Sequence, residues 1–212
     1  VKEKQFQGMG IKVLSLFFID RVANYRQYLP NGQTALGKIG EWFEQAYREF
    51  TEGDLARYPE LAAPDLSRIH NGYFSKDKKG IAKDTSGSSR DDEDTYSLIM
   101  RDKERLLDLA EPLRFIFSHS ALREGWDNPN IFQICTLNES QSVIKKRQEI
   151  GRGLRLPVND SGERIQDERI NRLTIIANES YDVFAQKLQQ EMTEDTGVQF
   201  GKVDTLAFVD LV

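Results

Sequence analysis

A chain with one cysteine and two histidines is short of the side chains that carry most metal and nucleophile chemistry. Cys135 has no partner for an intramolecular disulfide, which fits a reducing cytoplasm. His70 and His119 cannot, with that one thiol, assemble a zinc site of the usual ligand number, and neither H-E-x-x-H nor C-x-x-C occurs. No serine lies in a G-x-S-x-G elbow, which removes the main signature of a Ser-His-Asp hydrolase. No apolar run approaches the ~20 residues of a membrane span. The opening residues VKEKQFQGMG lack the apolar core of a signal peptide. A basic excess is also missing: 29 Lys and Arg face 34 Asp and Glu, a net charge of −5. That balance argues against coating nucleic acid through overall charge and leaves a local basic groove open.

What is present is a soluble, globular balance: 212 residues, 39% hydrophobic and 30% charged, enough for one substantial α/β domain. The nearly continuous apolar run Ile11–Ile19 predicts a strand buried on both faces. Asp20 then suggests an N-cap for a helix over RVANYRQYL. Apolar residues from Leu36 to Phe50 at three- and four-residue spacing predict a long amphipathic helix over 36–58. Further strands are expected at 68–74, 113–118, 131–137 and 172–177. Helices are expected from Thr95 to about residue 110, over 140–153, and from Ser180 to about Glu194. The polar stretch 75–94 reads as a mobile loop. Alternating apolar strands and helices predict a three-layer α/β sandwich with a mostly parallel sheet.

One stretch, NGQTALGKIG (31–40), nearly spells G-x-x-x-x-G-K-[ST], but Ile39 replaces the hydroxyl that binds Mg²⁺. It also follows Pro30 and an expected helix, not a strand. Gly32, Gly37 and Gly40 are therefore read as loop and helix-start residues, and the chain has no phosphate loop of its own.

The chemistry concentrates in FIFSHSALREGWDNPNIFQICTLNESQSVIKKRQEIGRGLRLP, residues 115–157. Its first element, Arg123-Glu124-Gly125-Trp126-Asp127, falls in a loop between two strands, expected at the C-terminal edge of the sheet where α/β folds place ligands. Its second, Gln148-Glu149-Ile150-Gly151-Arg152-Gly153-Leu154-Arg155, falls on a helix. At about 100° per residue, Gln148, Arg152 and Arg155 share an arc, with Val143, Ile150 and Leu154 opposite as the core-facing stripe. Each helical glycine costs roughly 1 kcal/mol, so either something approaches the backbone there or the helix ends near Gly153. Arginine suits spread phosphate charge because its fork donates to two oxygens and stays ionised. Lys145, Lys146 and Arg147 form a basic run, either a solvated helix face or part of a DNA or ATP cleft. Cys135, mid-strand, reads as a small core residue.

The G-x-D and Q-x-x-G-R-x-x-R elements resemble motifs V and VI in the second RecA-like domain of superfamily 2 helicases. KVLSLFFID, HNGYFSKD, FIFSHSALREGWDNPN, QEIGRGLRLPVN and LTIIANESYDVFAQKLQQE extend the likeness. In that order, over most of residues 11–195, they resemble the Res subunit of type III restriction-modification enzymes. The resemblance implies a RecA-like domain over residues 1–196 lacking its own P-loop, with 197–212 opening a connection to a nuclease domain. It implies ATP and Mg²⁺ bound jointly with a first RecA-like domain. Arg152 and Arg155 would then be arginine fingers, with Gln148, Asp127, Gly125 and Gly151 around the nucleotide. Ser118, His119 and Ser120, with Lys145 and Lys146, would lie toward DNA, although His119 reads equally as a buried structural residue. The implied partners are double-stranded DNA, a DNA-methylating Mod subunit, and the N-terminal RecA-like and C-terminal nuclease domains, with no membrane. Two rivals stay open: the same domain in another superfamily 2 translocase such as a type I restriction motor subunit, and a non-catalytic nucleic-acid-binding module.

Overall fold

A computed structural model of the chain describes residues 2–53, 65–74, 104–119, 128–138, 143–176 and 179–196. Its centre is strand β1 (Leu14–Phe18), the middle of the apolar run read from the sequence. Four more strands join it: β4 (His70–Tyr73), β5 (Phe115–Ser118), β6 (Ile131–Thr136) and β7 (Thr174–Ile176). They lie in the order β4-β5-β1-β6-β7, and every pairing in this sheet is parallel. Helices α1 (Lys2–Phe6), α2 (Lys38–Gly53), α3 (Val143–Gly151) and α4 (Glu179–Thr196) flank it, giving the three-layer RecA-like arrangement. Among the described residues no helix is long and apolar enough to cross a membrane.

Strand periodicity of two divides the core. Leu14, Leu16 and Phe18 point to one side, where they meet Ile116, Ile131, Ile134, Leu106 and Leu113. Phe17 points to the other, stacked on Phe117 at 4.7 Å, with Phe43 of α2 edge-on to Phe115 at 4.9 Å. Ile39 and Phe43 therefore anchor α2, while Trp42 and Phe50 of the predicted stripe stand exposed. Cys135 is buried and its thiol pushed up to about 11 by loss of solvent, as a core residue should be.

One predicted helix is not there, and the described end of another is not α-helical. After Asp20 the chain makes a single 3-10 turn (Val22–Asn24) and then an antiparallel hairpin, β2 (Arg26–Tyr28) with β3 (Thr34–Leu36). The cause is the Asn31-Gly32 turn: Gly32 takes φ +79°, and the Asn31 side chain accepts from the Gln33 N–H at 3.0 Å. NGQTALGKIG thus comprises a hairpin turn, strand β3 and the start of α2. The helix predicted up to residue 110 is, from residue 104 onward, only a 3-10 turn at Arg105–Leu107. Asp108 is extended, and its side chain accepts from the Ala110 N–H at 2.9 Å, which closes a turn instead of continuing a helix. The Lys12 ammonium, buried beneath, binds the Asp108 carbonyl at 2.7 Å and that of Glu111. Burial, seconded by Arg114, lowers the Lys12 pKa to about 7. The remainder of that expected helix, the 75–94 loop and residues 197–212 lie outside the described residues.

Candidate functional site

The loop between β5 and β6 has to cross the domain, because the two strands are parallel and not adjacent: it leaves at the C-terminal edge and returns at the N-terminal edge. At its start, Ser118 is fully buried and its hydroxyl makes no hydrogen bond among the described residues. Half-buried His119 follows. Ser120, Gly125 and Asp127 lie outside the described residues. At its end, Asn128 and Asn130 are both buried, and the Asn130 N–H donates to the Asn128 side chain at 3.0 Å. Asn128–Asn130 sit at the N-terminal edge of the sheet, beside the start of β6, while Arg123–Asp127, expected at the C-terminal edge, lie outside the described residues.

Helix α3 runs back from the C-terminal edge and ends at Gly151, two residues earlier than expected. Its exit tightens into i→i−3 bonds, from the Arg152 N–H to Glu149, Gly153 to Ile150 and Leu154 to Gly151. That change of winding breaks the shared arc drawn by extending an α-helix through Arg155. Gln148 and Arg155 are exposed, whereas Arg152 is buried. Ile150 is in the core as predicted, but Leu154 is 49% exposed and does not belong to an apolar stripe. Both readings of the glycines have a counterpart: the helix stops at Gly151, and a β-carbon on Gly153 would lie 2.4 Å from Leu173 Cδ1. Gly151 has open space around it.

The basic run is largely taken up by α4. Lys146 is buried with its ammonium 5.7 Å from the Phe184 ring, and Arg147 pairs with Glu191. The side chain of Lys145 lies outside the described residues. Past the helix, Gly153–Pro157 form one wall of a depression of about 260 Å³ whose other walls include Pro129 and Arg172. A short hairpin-like segment holds this exit: Val158 bridges Arg164, and the Ile165 N–H reaches the Pro157 carbonyl at 2.9 Å.

Sequence reasoning missed Asn128 and Asn130, although asparagines on both sides of a proline, directly before a buried strand, are a turn signal. The Asn130 side chain joins the two candidate segments, accepting from the Val158 N–H at 2.8 Å and donating to the Val158 carbonyl at 2.9 Å.

Comparison with known proteins finds relatives of one kind. The chain is 44% identical over 178 residues to the Res subunit of the type III restriction-modification enzyme EcoPI of Escherichia phage P1, covering 78% of this chain. It is 44% identical over 172 residues to the EcoP15I Res subunit of Escherichia coli, again covering 78% of this chain. It is 36% identical over 224 residues to the StyLTI Res subunit of Salmonella typhimurium, covering 94% of this chain. The chain is a homologue of type III Res subunits. It spans only 17%, 17% and 21% of those Res subunits' own lengths. No protein-family model matches the sequence.

Proposed function

We propose that residues 1–196 are the second RecA-like motor domain of a type III restriction enzyme Res subunit, a cytoplasmic ATP-dependent DNA endonuclease, with residues 197–212 leading toward a nuclease domain. The observation that carries the reading is the 44% identity to two Res subunits over 78% of the chain. On this reading ATP and Mg²⁺ bind between this domain and a preceding RecA-like domain, and the enzyme works on double-stranded DNA with a Mod subunit.

The residues present suit one side of such a site. Residues 31–40 offer no phosphate cradle, since Gly32 serves a hairpin turn and Gly37 is packed against the backbone of Ala23 and Asn24. It does offer guanidinium and amide donors around the exit of α3, in Gln148, Arg152 and Arg155. Magnesium-bound ATP, when present, supplies a phosphoryl group whose transfer to water drives the motor. Arg155 and Gln148 are solvent-exposed, whereas buried Arg152 would reach an anion held between the domains only as the two domains close. Gly125 and Asp127 complete the nucleotide side, and Gly151 leaves room for close approach. On the same reading the Ser118-His119-Ser120 segment and Lys145 and Lys146 belong to the DNA side, but Ser118 and Lys146 are buried, so neither presents its side chain to it.

The test is ATP turnover by the full subunit with its Mod partner and DNA, with Arg152→Ala and Arg155→Ala compared with the unaltered enzyme. An arginine finger is worth 10³–10⁵ in rate, so kcat should fall on the order of 10³-fold for the finger residue while the KM for ATP changes little. Variants that lose ATP binding and keep kcat would refute the assignment.

A further inference from the structure

The apolar stripe that predicts α2 is wider than the sheet covers. On a helix, residues four apart form rows, and α2 presents three rows side by side. Ile39, Phe43 and Tyr47 form the inward row; Ile39 and Phe43 pack on the core, and Tyr47 lies edge-on to Phe115 at 6.0 Å. Trp42, Ala46 and Phe50 form the next row, and all three are exposed, Trp42 by 63%. Lys38 opens that row, its ammonium 5.9 Å from the Trp42 ring. Glu41, Gln45 and Glu49, all exposed, form the third row, and Gln45 donates to Glu49 at 2.8 Å. The middle row is thus an apolar ridge about 12 Å long, with a small residue at its centre where another backbone can come close. Ridges of this kind interdigitate with a second helix.

The rim selects the occupant. Glu41 and Glu49 outnumber Lys38, a balance that disfavours the phosphates of DNA or of an anionic membrane and favours a protein surface with a basic margin. Size selects further. Three side chains fall far short of the ~1,600 Å² that separate molecules bury in a stable complex, so this ridge alone does not hold a second copy or an independent subunit. A tethered domain needs far less, because its effective concentration is on the order of millimolar. Res subunits contain such tethered sequence, since this chain spans only 17% to 21% of their length.

We infer that the Trp42–Ala46–Phe50 ridge is an interdomain contact, covered in the intact subunit by an amphipathic helix of another domain of the same polypeptide, with basic residues toward Glu41 and Glu49. The inference rests on the reading of this chain as one domain of a Res subunit, and not on its ATP chemistry.

The experiment is hydroxyl-radical footprinting of the full subunit without Mod, read for each residue by mass spectrometry against the same subunit unfolded in urea. A docked face is open in about 10% of molecules or fewer, so Trp42 and Phe50 should be protected about tenfold or more. Trp42 left as open as 63% would be oxidised far faster than Tyr25, which is buried within the domain. Photocrosslinking from Trp42→p-benzoylphenylalanine then identifies the cover. The expected product is a monomer-sized subunit linked to an amphipathic segment outside residues 1–212. Open oxidation of Trp42, protection that appears only with Mod, or a crosslink to Mod, to a second copy or within residues 1–212 overturns the inference. Failure of the motor reading looks different: the same preparation, given Mod and DNA, would hydrolyse no ATP while Trp42 stayed protected.

Discussion

At Gly37, a β-carbon would stand 2.3 Å from the Ala23 carbonyl oxygen and 2.5 Å from the Asn24 carbonyl carbon, backbone atoms that cannot step aside. The Gly37 N–H meanwhile donates to the Tyr25 carbonyl at 2.8 Å, which locks the start of α2 against the 3-10 turn. Gly37→Ala is therefore expected to lower the unfolding free energy by about 1–3 kcal/mol, the usual cost of overpacking. Chemical denaturation of the chain checks this, and an unchanged midpoint at unchanged slope would contradict it. Gly153 differs, because the atoms it excludes belong to the side chain of Leu173, which can rotate away. The sequence marks Gly153 as a place where something comes close to the backbone, and Gly37 only as a loop or helix-start residue. What comes close, a turn fourteen residues earlier in one case and Leu173 in the other, is a tertiary fact that local spacing does not encode.

At the level of elements, the apolar strands were legible because burial on both faces leaves an unmistakable run, as at Leu14–Phe18 and Ile131–Thr136. The segment after Asp20 was not, since R-V-A-N-Y-R-Q-Y-L fits helical spacing and strand alternation about equally over so few residues. The Asn-Gly pair that decides it reads as a loop, without showing by itself that the loop closes a hairpin. The exit of α3 misled for another reason: a regular 100° step was carried past Gly151, where i→i−3 bonding takes over. A different tie holds the hairpin region to the sheet. The Tyr25 hydroxyl lies 2.7 Å from His70 Nδ1, and Glu44 of α2 lies 3.3 Å from Nε2 on the other side. Burial, only partly offset by Glu44, holds the His70 pKa below its usual 6.5. Just below pH 6.5 the unfolded chain takes up a proton that the folded chain refuses, so this residue makes stability fall as the medium is acidified. His70→Gln should flatten that acid limb in unfolding measurements between pH 7 and pH 5; a limb of unchanged slope would count against it.

For the whole molecule, the two candidate regions occupy opposite edges of one parallel sheet, Ser118 at the end of β5 and Arg155 beside the start of β6. With strands rising ~3.3 Å per residue, that separation is on the order of 15 Å. On the proposed reading these two edges serve DNA and nucleotide, and Asn130 is bonded to Val158, just past the arginine segment. The resemblance to Res subunits was legible in particular segments, such as SHSALREGWDNPN, and in their order, and relatives of 36–44% identity bear it out. The placement of Arg152 inside the domain and Arg155 outside was not, because it depends on how a helix ends. The central claim is that this chain brings arginines to an ATP site whose cradle lies in another domain. The most direct test is steady-state ATP hydrolysis by residues 1–212 alone, and by the same chain joined to the RecA-like domain proposed to precede it, with DNA present. The expected result is no turnover from the chain alone and DNA-stimulated turnover from the joined protein that Arg152→Ala or Arg155→Ala abolishes. Robust hydrolysis by the chain alone would contradict the claim.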